Sequence, residues 1–209
     1  MLSAKTIAEL HDRLTELWHR SPTDADESVA PADAFLQAVA LQHRANFDLW
    51  HIEDEARAPG ATDADIAQVK RNIDSTNQLR NDLAEDLDSA LLHWLEPQQL
   101  PNVSAPLNSE SPGLMIDRLS ILALKIYHTR EEAERSDAAP GHSERNLERL
   151  AILETQRGDL AACLEDLWRE TVDGTRQFKL YRQMKMYNDP SLNPAVYRKL
   201  AGHSSESSR

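Results

Sequence analysis

The side chains best suited to chemistry stand where an ordinary helical protein would place leucine. His43, Asn46, Phe47, Trp50, Asp54 and Arg57 recur every three or four residues, so on a helix they form one stripe of aromatic and hydrogen-bonding groups. A second apolar series, Ile66, Val69, Ile73, Ala84, Leu87, Leu91 and Trp94, is interrupted by Asn77 and Arg80. A guanidinium in mid-stripe must be paired or face a ligand, because an unpaired buried charge costs roughly several kcal/mol. Further on, Asp117, Lys125 and His128 share a face with Leu114, Ile121 and Leu124, and Gly113 precedes them in a first turn whose free N–H groups favour an anion. Last, on a segment read as a helix that Asn188-Asp189-Pro190 ends, Arg176, Lys179, Arg182 and Lys185 follow at three-residue intervals among Phe178, Tyr181 and Tyr187, with no acidic residue between them. These groups suit proton transfer by His43, Asp117 or His128. Arg80 and the basic segment suit phosphate contact, and Trp50 or Tyr187 suits stacking on a base or sugar.

The elements that position these groups are helices. Ile7, Leu10, Leu14, Leu17 and Trp18 share one face of a helix from Ser3 to Arg20, with Ser3 as its cap. After a Ser/Pro/Asp-rich loop, a second helix opens at Pro31 and reaches Arg57, where Pro59-Gly60 forces a turn. Thr62 and Asp65 cap a third that reaches Leu95. So short a connection makes the second and third helices an antiparallel hairpin, with Asn77 beside His43 and Arg80 near Val39 and His43. One polar layer, His43, Asn46, Asn77 and Arg80, is thus predicted inside the hairpin. It can be a ligand site or a buried network that fixes register.

A proline-containing loop over 97–110 leads to a fourth helix, Pro112 to Arg135, apolar almost all round and therefore buried on most sides. A fifth runs from Ser143 to Thr171 and ends at Gly174; Asn193-Pro194 starts a short last helix, and 202–209 reads as a disordered tail. The expectation is one all-α domain over 1–201, a bundle of about five long helices built on the hairpin, with short C-terminal helices.

Composition narrows the function classes. A formal net charge of −12 opposes non-specific binding to nucleic acid or anionic membranes, and no run approaches the roughly 20 apolar residues of a membrane span. The single cysteine, Cys163, excludes an intrachain disulfide and suits a reducing, cytoplasmic setting, where it is expected to pack as a small hydrophobe.

Glu53-Asp54-Glu55 and Glu85-Asp86-Leu87-Asp88 resemble the paired acidic motifs of all-α nucleoside-triphosphate pyrophosphohydrolases. In the hairpin register, however, position 54 faces about 66, and the remaining 19 residues at ~1.5 Å each separate the clusters by roughly 28 Å. One chain cannot close a two-metal site over that distance, though a dimer can. No two histidines show zinc-ligand spacing on one helix, so no metal ligands are assigned and no cofactor is named.

Trp50-His51-Ile52-Glu53-Asp54-Glu55-Ala56-Arg57, Arg80-Asn81-Asp82, the stretch 112–128 and Lys185-Met186-Tyr187-Asn188-Asp189-Pro190 resemble a bacterial domain-of-unknown-function family, across nearly the whole chain. The resemblance implies, by gene neighbourhood, a role near glycosyltransferases of cell-surface polysaccharide synthesis, and it carries no catalytic residue. Three functions follow as expectations. The first is a pocket for a phosphorylated or nucleotide-activated sugar, with ligand-binding candidates His43, Asn46, Trp50, Asp54, Asn77, Arg80, Asp117, Lys125, His128, Arg182, Lys185 and Tyr187. The second is an interaction protein partnering a glycosyltransferase, and the third a metal-dependent nucleotide hydrolase. Whether the chain is an enzyme, and whether it forms a homo-oligomer, stay open.

Overall fold

A computed structural model describes residues 2–21, 31–184, 191, 192 and 194. Among them are five α-helices: α1 (Ala4–Arg20), α2 (Ala34–Glu55), α3 (Asp63–Leu95), α4 (Pro112–Glu134) and α5 (His142–Val172). The all-α bundle read from the sequence is the observed fold.

The helix boundaries follow local chemistry. Ser3 caps α1 by accepting from the Thr6 amide, and Ser111 followed by Pro112 opens α4. At α2 the start differs from expectation: Asp33, not Pro31, sets it by accepting from the Leu36 amide, an acceptor that proline lacks. At α3, Thr62 and Asp65 form a reciprocal capping box, each side chain holding the other's backbone amide. Thr62→Ala is expected to cost about 1 kcal/mol, read by urea denaturation; no change would mean that packing alone sets this end.

Helices α2 and α3 form the antiparallel hairpin, and α4 packs against each of the other four helices. This central place explains its apolar circumference: Ile116, Leu119, Leu124 and Ile126 are fully buried, the first three in one core with Ile7, Leu87, Leu95 and Leu164. Polar ties hold α1 on α5. The Ala4 amide donates to Glu165, and Arg157 Nη1 lies 2.6 and 2.8 Å from the Asp12 carboxylate oxygens.

Two expectations are corrected. Cys163 is exposed on α5 instead of buried, because the core face of that helix is carried by Leu160, Leu164, Leu167 and Trp168. The basic stretch is not helical over 176–184. It lies along the 103–108 loop, where Gln177 donates to the carbonyls of Val103, Ala105 and Pro106, and Phe178 enters the core. Lys185, Tyr187, most of the expected last helix and the tail lie outside the described residues.

Candidate functional site

The polar layer exists, but its centre is α4. Asp117 Oδ1 accepts from Gln42 (2.6 Å) and Asn46 (3.0 Å) of α2, and Arg80 Nε of α3 stands 3.3 Å away as its counter-ion. Asn46 also donates to Ser120 Oγ (2.9 Å), which lies 2.7 Å from His43 Nδ1. The other ring nitrogen, Nε2, approaches the His11 carbonyl (3.1 Å) and the Thr15 hydroxyl (2.9 Å) of α1. A carbonyl only accepts, so Nε2 carries the proton and Nδ1 accepts from Ser120. The hairpin register placed Asn77 beside His43; the hydrogen bonds of His43 run to α1 and α4. Asn77 lies half-buried one turn before Arg80.

Electrostatics follow burial. The His43 ring is held neutral, its pKa lowered to about 3, and His11 beside it is lowered well below the ordinary value by burial, then by His43 and Arg157. Burial raises Asp117, and Arg80, Asn46 and Gln42 pull it back. Gln42, Thr15, Ser120 and His11 were not legible as site residues, since a lone Gln, Thr or Ser on an apolar face carries no sequence signal of its partners.

The anion expected at the start of α4 is supplied by the protein itself. Asp88 of α3 accepts from the Gly113 amide at 2.7 Å, and burial pushes its carboxyl up to about 6 despite that bond and one from Ser111.

Beside the polar layer, α2 and α4 leave a cleft of about 430 Å³ lined by Asn46, Leu49, Trp50, Glu53, Asp54, Arg57, Ile121 and Leu124. Arg57 pairs with both Glu53 and Asp54 at its exposed end. Lys125 does not reach this cleft; it lines a separate groove between α4 and α5 with Arg118, Asp159 and Cys163. Arg182 is exposed and lines neither.

At the far side of Trp50 the rings of three helices converge. Trp50 stacks flat on His128 (4.8 Å, 8°), and Tyr127 stacks on His19 (4.1 Å, 18°). His19 of α1, His51 of α2 and His128 of α4 each place one ring nitrogen within 4.8 Å of the others. Of the three only His128 was a sequence candidate, because spacing along single helices is blind to a cluster with one member per helix. Neither acidic cluster joins a comparable group of donors among the described residues.

Fold and site together define an α-helical bundle with a buried polar layer, an open cleft and a histidine cluster at one junction of α1, α2 and α4. Residues 36–180, more than half of the chain, match the family described as Protein of unknown function (DUF4254), and the chain belongs to it. No curated protein and no solved structure matches. Among the described residues, no helix is long and apolar enough to cross a membrane.

Proposed function

We propose that the chain binds a sugar-bearing small molecule in the α2–α4 cleft, as an accessory protein or enzyme of bacterial glycan synthesis, the ligand being a phosphorylated or nucleotide-activated sugar. The observation that carries the reading is the lining: one aromatic ring, Trp50, beside an amide, two carboxylates and a guanidinium on a partly apolar wall. An aromatic face packs on the C–H face of a pyranose, and carboxylate, amide and guanidinium groups match vicinal hydroxyls. The polar layer behind the cleft serves this reading by fixing Asn46, not by offering free contacts.

The test is thermal unfolding of the protein with nucleotide sugars and sugar phosphates. A ligand at ~100 times its dissociation constant stabilises by about 2.7 kcal/mol. The expected result is a hit abolished by Asp54→Ala, which removes an exposed cleft carboxylate and leaves the unliganded stability within about 0.5 kcal/mol. A flat screen would overturn the reading. It would favour a second one, an interaction protein partnering a glycosyltransferase, whose support is that the polar layer is bonded chiefly within itself.

A further inference from the structure

We infer that His19, His51 and His128 form a binding site for a first-row transition-metal dication of the zinc type, held by three imidazole nitrogens, with the fourth position left to a non-protein ligand. The hydrogen bonds of the three rings assign the donor atoms. His19 Nδ1 lies 2.7 Å from the Thr15 carbonyl, His51 Nδ1 lies 2.8 Å from the Phe47 carbonyl, and His128 Nδ1 lies 2.9 Å from Glu131 Oε2. Each of these partners only accepts, so each Nδ1 carries the proton and each Nε2 keeps its lone pair. This is the arrangement of metal-ligating histidines, whose second nitrogen donates to a carbonyl or carboxylate that fixes tautomer and ring orientation.

Two of the three remaining nitrogens lack protein partners where water is shut out. His19 Nε2 and His128 Nε2 are both buried and accept no hydrogen bond. One ring nitrogen of each histidine lies within 4.8 Å of the other two, and a cation bound among them would satisfy the lone pairs that have no protein donor. The cluster is also closely packed: the ring centroids lie 4.9 to 6.0 Å apart, and Phe47, Tyr127 and Trp50 pack around them. Tetrahedral coordination at 2.0–2.1 Å places ligand nitrogens about 3.4 Å apart, so the present limit of 4.8 Å closes by small ring rotations. An all-imidazole donor set selects zinc, cobalt, nickel or copper over magnesium or calcium, which require oxygen.

The site is distinct from the sugar cleft, and its test does not depend on that reading. Untagged full-length protein, freed of metal with a chelator, is titrated with Co²⁺. The expected result is one equivalent bound with a visible d–d band of four- or five-coordinate cobalt, displaced by Zn²⁺ and unaffected by excess Mg²⁺. His51→Ala and His128→Ala are each expected to weaken binding at least a hundredfold. Glu131→Gln, which leaves every ligand in place, weakens it about tenfold or more through loss of the carboxylate that orients His128. His93→Ala, on an exposed ring elsewhere, leaves it unchanged. Should the ligand variants misfold, a long-range ¹H–¹⁵N spectrum of the unaltered protein decides: zinc must shift the Nε2 resonances of three histidines with protonated Nδ1. Absence of stoichiometric binding would overturn the proposal, as would binding that survives loss of His51 and His128 or shifts on other histidines.

Discussion

Gly113→Ala is expected to destabilise the protein by about 3 kcal/mol or more, the upper range for overpacking between helices. A Cβ at this position would stand 2.2 Å from the Ala84 carbonyl oxygen and 2.9 Å from Asp88 Cγ. The first contact is with backbone, so relief requires α3 and α4 to separate along their whole interface, and separation breaks the Gly113 amide's bond to Asp88. That leaves a buried amide and a buried carboxyl without their partner, at a further cost of about 1–3 kcal/mol. Gly158→Ala is the matched control: nothing lies within 4 Å of its Cβ, and a residue inside α5 gains helix propensity of about 0.5–1 kcal/mol. Urea denaturation of the two variants should therefore give shifts of opposite sign. A loss below 1 kcal/mol in Gly113→Ala would mean that the two helices do not meet this closely.

The second large effect is a loss of stability in acid that depends on His43. The folded protein holds this ring neutral down to about pH 3, whereas the unfolded chain protonates it near 6.5. Its contribution is therefore complete above pH 6.5 and is lost as pH falls toward 3; at pH 4 the loss is about 3 kcal/mol. His11, lowered for the same reason, acts in the same direction. Asp88 opposes both: raised to about 6, it stabilises the fold fully below the ordinary carboxylate value of 3.8 and loses that contribution as pH rises through 6. Asp117, also raised, shares its sign. The net profile is thus flatter than the histidines alone dictate, and the informative quantity is a difference. The stability gap between the unaltered protein and His43→Gln is expected to narrow by about 3 kcal/mol between pH 7 and pH 4. A gap that does not change with pH would mean that His43 binds its proton equally well in the folded and the unfolded chain.

Helix positions were legible because their signals are local. Thr62 and Asp65, Ser3, Ser111-Pro112 and the near-continuous apolar run of α4 each act within one or two turns, and each marks an observed helix. The polar layer was legible only as polar residues on apolar faces. Arg80 signalled that a partner must exist, but its partner, Asp117, stands on another helix 37 positions later, and hairpin register alone pointed to α2 instead. His19 and His51 were invisible for the same reason. Their meaning arises when α1, α2 and α4 meet, and no spacing within one helix encodes that meeting. The first turn at Gly113 was read as a place for a bound anion, and the tertiary fold puts the protein's own Asp88 there.

Trp50 is a party wall. One surface of its indole covers His128, and the same side chain lines the cleft between α2 and α4. A cleft occupant that shifts the indole shifts His128 with it, so occupancy of one compartment and the donor geometry of the other share a free energy. That coupling is reciprocal by thermodynamic necessity: whatever factor an ion at the histidines applies to affinity in the cleft, the cleft's occupant returns to the ion.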